Sequence, residues 1–171
     1  AVTVTALGSS GALAGAPIPV KFVVMDGTKK VASADGILGA PSTIRVPSPV
    51  LWSPDTPHLY DLQVQTASDE VVAYFGLRTF ALGTTGADGI SNSHAGQKKP
   101  LLNGEYTFMA GFLDQSWWPD GQYTAPTDAA LEYDLAATKM FGLNMIRLHQ
   151  KVNPERWYYH ADRHGLVLFQ D

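Results

Sequence analysis

The chain has 171 residues, 45% of them hydrophobic and 16% charged, with a formal net charge of −4 at pH 7, a composition that supports buried cores in one or two small globular domains. Its sparse Lys and Arg form no stripe able to neutralise a run of phosphates, which argues against a nucleic-acid partner. No apolar run approaches the roughly 18 residues that span a bilayer, so no membrane partner is expected, and the absence of cysteine excludes disulfides and thiolate metal sites without fixing a compartment.

Ala1 leads straight into the alternating Val2-Thr3-Val4-Thr5, without the basic start and apolar core of a secretory signal, so the N-terminus reads as the inside of a sheet protein. Further short alternating runs follow at Val20–Val24, Ile44–Val46, Leu59–Val64 and Val71–Phe75. Period two with turn residues between the runs predicts half-buried antiparallel strands. Asp26-Gly27 fits a tight hairpin turn, and Pro41, Pro47, Pro49, Pro54 and Pro57 exclude helix from the middle third. Strands at this spacing predict an immunoglobulin-like β-sandwich over residues 1–82.

Residues 83–99 are rich in small and polar side chains and read as a linker or an exposed excursion of a hairpin. His94 lies there with no second ligand at a suitable spacing, so it reads as a solvated loop residue and no metal is expected.

From residue 100 the period changes. Thr127-Asp128 offers an N-cap and a first-turn acid; Leu131, Leu135 and Thr138 share one face, and Gly142 is placed to end the helix. Leu143–Leu148 reads as a buried strand. Asn153-Pro154-Glu155 restarts a helix with proline at its first position, and Gly165 closes it before the strand Leu166–Phe169. The result is a βαβαβ unit with a parallel sheet, either doubly wound or the first part of a (β/α)8 barrel. A whole barrel takes about 250 residues, so residues 100–171 are expected to hold three of its strands, with the pattern cut off at Asp171.

Function in either architecture collects at the carboxyl ends of the strands. Those ends carry Gly111 to Asp120, Arg147 to Lys151 and Gln170-Asp171. The first of these loops lacks the Gly-x-Gly-x-x-Gly spacing of a dinucleotide site, and no cofactor is expected. It holds instead Asp114, Gln115, Trp117 and Trp118, a mixture of carboxylate, amide and indoles that suits a sugar ring. The competing reading has both tryptophans covering the barrel mouth or the domain junction. Arg147 on a buried strand calls for a carboxylate partner, a catalytic one or, in a structural ion pair, Asp171 or Asp114. His160 and His164 read as helix-surface residues.

Landmarks along the chain then resemble one family. Leu51-Trp52-Ser53-Pro54-Asp55-Thr56-Pro57-His58-Leu59-Tyr60, Phe75-Gly76-Leu77-Arg78-Thr79-Phe80, Leu102-Asn103-Gly104, Phe141-Gly142-Leu143-Asn144-Met145-Ile146-Arg147 and Asp162-Arg163-His164-Gly165-Leu166-Val167-Leu168-Phe169-Gln170-Asp171 resemble successive landmarks of glycoside hydrolase family 2, in order and spacing. The resemblance implies a retaining glycosidase acting on β-linked sugars, built from β-sandwich domains and a catalytic (β/α)8 barrel. It also implies two catalytic glutamates after the fourth and seventh barrel strands. The four glutamates here, Glu70, Glu105, Glu132 and Glu155, match neither. No catalytic residue is therefore assigned within the chain, which is expected to be inactive alone. Arg147 matches the second-strand arginine beside the nucleophile. His149 follows it by two residues rather than the family's three, and Gln115 stands where better-known members carry a sugar-binding histidine. With Asp171 as an acceptor of sugar hydroxyls, the expected substrate-binding set is Arg147, His149, Asp171, Asp114, Gln115 and Trp118.

Two other readings compete: a non-catalytic carbohydrate-binding β-sandwich with an α/β appendage, and a small complete enzyme pairing Asp114 with Asp171. The expected partner is a carbohydrate, together with self-association through an exposed barrel edge.

Overall fold

The computed structural model describes residues 1–8, 16–84 and 96–171, and these fall into two compact units. The first comprises Ala1–Val50 and Leu59–Leu77. Its strands are β1 (Val2–Thr5), β2 (Pro19–Asp26), β3 (Lys29–Ile37), β4 (Pro41–Ile44), β5 (Tyr60–Gln65) and β6 (Glu70–Phe75). An antiparallel sheet has the order β3-β2-β5-β6, and β1 pairs antiparallel with β4. Both sheets contribute to one core. Val20, Phe22 and Val24 of β2 meet Tyr60 and Leu62 of β5 and Ile44 of β4, while Val4 of β1 packs at its margin. Alternate residues of β2 point inward, so one strand buries three large apolar side chains, each worth about 1.5–3 kcal/mol.

Four of the expected strands are present, the run Ile44–Val46 is replaced by a strand ending at Ile44 and beginning at Pro41, and Gly27 (φ +57°) lies in the turn between β2 and β3. The strand β3 has no apolar alternation to announce it. Its small residues are held by the β2 ladder, Val23 opposite Ser33 and Phe22 opposite Ala34. A side chain at Gly36 would meet Ser42 Oγ at 2.1 Å, so the absence of a Cβ there is required by packing.

The second unit comprises Leu51–His58 and Arg78–Asp171. The expected boundary after residue 82 therefore differs from the observed division, and the reason is Trp52. Its buried indole donates from Nε1 to the carbonyl of Asp162 at 2.8 Å. The Arg78 guanidinium lies 4.4 Å from the ring centroid and 3.0 Å from the Asp162 carboxylate, and Lys139 Nζ donates to Pro54 O at 2.9 Å. The ends of the expected linker also form strands. Antiparallel β7 (Phe80–Thr84) and β8 (Lys98–Leu102) pair Gly83 with Lys99 and Thr84 with Lys98, and β9 (Glu105–Tyr106) completes that sheet. The intervening residues 85–95, His94 among them, lie outside the described residues.

The chain then runs β10 (Gly111–Asp114), α1 (Asp128–Met140), β11 (Met145–Leu148), α2 (Glu155–His164) and β12 (Val167–Gln170). The three strands are parallel in the order β10-β11-β12. Thr127 caps α1 by accepting from the Ala130 amide, as expected, and Gly142 follows its end at φ +75°. The second helix differs slightly: Pro154 (ψ 150°) stands at the cap, outside the helix, because its extended ψ precedes the first helical residue Glu155. Gly165 closes α2 in the left-handed region.

Leu131 and Leu135 of α1, Trp157 and Ala161 of α2, and Ile146 and Leu148 of β11 form one core, so both helices cover the same face of the sheet. The opposite face carries the register row Leu113, Arg147 and Phe169, and all three are exposed. His160 departs from the surface placement expected of it. It is 1% exposed and hydrogen-bonded to Asp128 Oδ1 at 3.1 Å, because the first turn of α1 brings that carboxylate against α2.

Candidate functional site

Parallel pairing of β10, β11 and β12 brings their carboxyl ends together. Leu148 lies opposite both Asp114 and Gln170 in the ladders. Arg147 projects from the face that the helices leave open, and its Nε donates to Asp171 Oδ1 at 3.1 Å while Nη2 donates to Oδ2. This bidentate pair holds the Asp171 carboxyl below the usual range and raises the arginine. Of the roles open to Arg147, the structural ion pair with Asp171 is the one formed. Both partners are partly exposed, so the pair keeps contact with solvent and can offer its remaining donors and acceptors outward.

Beside this pair, Gln115 Nε2 lies 3.3 Å from His149 Nδ1, and the His149 amide donates to the Asp114 carbonyl at 2.8 Å. Gln115 and His149, expected to bind substrate from separate strands, are thus neighbours. Asp114 turns instead onto its own loop, where its Oδ1 accepts from the Ser116 amide. Asp114 and Asp171 consequently engage different partners, which gives no support to an acid/base pair made from them.

The two tryptophans have separate surroundings. Trp118 is half-buried and packs against the second core, with Lys151 Nζ 5.0 Å from its ring centroid. Trp117 is 52% exposed and lies 4.2 Å from the ring of Tyr123, centroid to centroid. The indole expected to touch substrate, Trp118, is the one more engaged with the protein.

Sequence reasoning did not single out the residues that hold these loops. Ser116 is 2% exposed at φ +52°, a conformation costly for a side chain other than glycine or asparagine. Three contacts maintain it: Asp114 on its amide, Asn153 Nδ2 on its hydroxyl at 2.7 Å, and Lys151 Nζ on its carbonyl at 3.1 Å. Burial depresses the Lys151 pKa. Gln170 Nε2 donates to the Lys151 carbonyl at 2.7 Å and its Oε1 accepts from the Tyr158 hydroxyl, which ties the third loop to the second. The signal available in the sequence was their position directly after apolar strands; the left-handed backbone at Ser116 leaves no mark in residue type.

Chemically, the arrangement offers fixed donors and acceptors to hydroxyl groups. It places no glutamate at the carboxyl end of a parallel strand: Glu70 opens β6, Glu105 opens β9, Glu132 is in α1 and Glu155 in α2. Among the described residues no cluster of His, Cys, Asp and Glu is arranged to hold a metal ion.

Residues 15–78 match the family model of glycosyl hydrolases family 2. A putative β-glucuronidase of Formosa agariphila is 28% identical over 170 residues, 94% of this chain and 15% of that protein. A β-galactosidase of Lactococcus lactis is 27% identical over 133 residues, 78% of this chain and 12% of that protein. The chain thus spans less than a sixth of the length of either relative. Among solved structures, the β-glucuronidase of Ruminococcus gnavus in complex with D-glucuronic acid shares the fold, with a TM-score of 0.74 and 21% identity over 90% of this chain and 25% of that one.

Proposed function

We propose that this chain belongs to glycoside hydrolase family 2 as part of a retaining β-glycosidase, and that it supplies part of the sugar-binding wall. In this reading the first unit, Ala1–Val50 with Leu59–Leu77, is an immunoglobulin-like β-sandwich, and β10, β11 and β12 are the first three strands of a (β/α)8 barrel. One feature supports a barrel over a doubly wound sheet: the face opposite the helices carries Leu113 and Phe169 exposed beside Arg147, as an unfinished interior would.

The observation that carries the function is the convergence of Arg147, Asp171, Gln115 and His149 at the carboxyl ends of parallel strands, where barrel enzymes place their sites. Arg147 would help keep a neighbouring carboxylate nucleophile ionised, and Asp171, Gln115 and His149 would hold sugar hydroxyls. The proposed catalytic glutamates are supplied by sequence outside these 171 residues, and the chain alone is inactive. The names of the two relatives, a putative β-glucuronidase and a β-galactosidase, support a substrate among β-linked sugars.

The test uses the full-length protein containing this chain, assayed for 4-nitrophenol release from 4-nitrophenyl β-D-glucuronide, β-D-galactoside, β-D-glucoside and β-D-mannoside. Turnover of at least one, reduced at least a hundredfold by Arg147→Ala with the folded signal intact, is the expected result. No turnover of any of the four overturns the reading. Turnover by the 171-residue chain alone would refute its inactivity.

A further inference from the structure

We propose that Trp117 and Tyr123 form a stacking platform for a second sugar ring, next to the ring bound at the strand ends. The inference deepens the glycosidase reading and rests on it for the chemical class of the ligand.

Adjacent tryptophans in one loop have divided two tasks. Trp118 is spent on packing, with the second core on one side and Lys151 close to its ring. Trp117 and Tyr123 instead remain 52% and 58% exposed while lying against each other, centroids 4.2 Å apart and planes inclined by 39°. The pair sits on the loop that carries Gln115, and Lys151, two residues beyond His149, is bonded to that loop, so an aromatic face and polar groups of the kind a saccharide needs belong to connected loops. The axial C–H face of a pyranose packs on an aromatic ring, and its hydroxyls reach the flanking polar groups.

The platform is also rigid before any ligand arrives. Trp118 and Gln122 exchange backbone hydrogen bonds at 2.9 and 2.8 Å, closing a small hairpin between the two rings. Ser116 and Gln122, neither of them glycine, both lie at φ +52°, a strain that surroundings must hold. At Gly121 a Cβ would fall 2.0 Å from the Thr124 carbonyl, so the turn tolerates no side chain there. Lys151 clamps the loop at both ends, donating to the carbonyls of Ser116 at 3.1 Å and Tyr123 at 2.7 Å. A surface held in its binding geometry loses little entropy on capturing a ligand.

The Lys151 ammonium lies 5.2 Å from the Tyr123 ring centroid, so the platform combines an open indole face with a cation at its edge. The ligand class is therefore a β-linked saccharide of two or more rings, the second resting on Trp117.

The test follows the indole N–H resonances of the isotopically labelled 171-residue chain by NMR, with the Trp117 signal identified by its loss in Trp117→Phe. Titrants are cellobiose, lactose and a β-glucuronyl disaccharide, with methyl β-D-glucopyranoside as the single-ring comparison. A saturable shift of the Trp117 signal with at least one disaccharide, at least tenfold weaker with the single ring and at least tenfold weaker in Tyr123→Ala, is the expected result. A Trp117 signal unmoved by all three disaccharides overturns the platform even where the full-length protein hydrolyses β-glycosides. A saturable shift without any such hydrolysis upholds the platform and removes the glycosidase reading.

Discussion

Gly142 and Gly165 end the two helices in nearly the same backbone conformation, φ +75° and +73°, yet their surroundings differ sharply. A Cβ at Gly142 meets nothing within 4 Å, whereas at Gly165 it would lie 2.5 Å from the Pro54 carbonyl oxygen and 3.1 Å from the Pro54 Cα. Substitution by alanine therefore separates conformational strain from steric conflict. The left-handed conformation costs a non-glycine residue roughly 1–2 kcal/mol, offset by about 0.4–1 kcal/mol from the lower entropy of the unfolded chain. Gly142→Ala is accordingly expected to lose about 1 kcal/mol. At Gly165 the opposing atoms are backbone and cannot swing aside, so the Leu51–His58 segment must shift. That movement breaks the 2.9 Å bond from Lys139 Nζ to Pro54 O, a charged hydrogen bond worth about 1.5–3 kcal/mol. Gly165→Ala should then lose about 3 kcal/mol, which at roughly 2–4 °C per kcal/mol lowers the midpoint several times further than Gly142→Ala does. Thermal unfolding followed by the helical far-UV signal reports this unit, because α1 and α2 both belong to it. In a Lys139→Ala background the extra loss at Gly165 should shrink. Equal losses at the two glycines, or an extra loss unchanged by Lys139→Ala, would refute the reasoning.

Acid should act through Asp128, whose carboxyl is held well below the ordinary carboxylate range by Arg156 and then by His160. A depressed folded pKa means that its contribution is fully present above the unfolded value near 3.8 and is lost as pH falls below it. Denaturant midpoints between pH 5 and pH 2 should thus fall less steeply in Asp128→Asn than in the parent. Asp134 behaves oppositely, because partial desolvation on the exposed side of α1, and then the charge of Asp114, raise its pKa. Its ionised form opposes folding at neutral pH, so Asp134→Asn should raise the midpoint at pH 7, and a lowered midpoint would count against the assignment. Leu135, fully buried between the helices and the sheet, should lose about 2–5 kcal/mol as alanine, measured by chemical denaturation. The open edges of β10 and β12, with Phe112, Leu113 and Phe169 exposed, should make the 171-residue chain self-associate with rising concentration. A monodisperse monomer in sedimentation would contradict that expectation.

The local signals in this sequence were sufficient for α1, bounded by Thr127 and Gly142, and for the two parallel strands after it, because caps and apolar periodicity act over a few neighbouring residues. The same reasoning placed Asp114, Gln115, Arg147, His149 and Asp171 at strand ends, since parallel pairing follows from alternating strands and helices. Other features were decided only by contacts between distant positions. The strand β3 exists because β2 recruits it, and Leu51–His58 joins the second unit because Trp52 reaches Asp162, 110 residues away. Arg147 meets Asp171 because their strands are neighbours in the sheet, and His160 left the surface because Asp128 arrived beside it. Which of two adjacent tryptophans packs and which faces solvent was decided by the second core and Lys151, both of which engage Trp118. Residue type fixed what each side chain could do; the hydrogen-bonded loops at the strand ends fixed where it could do it.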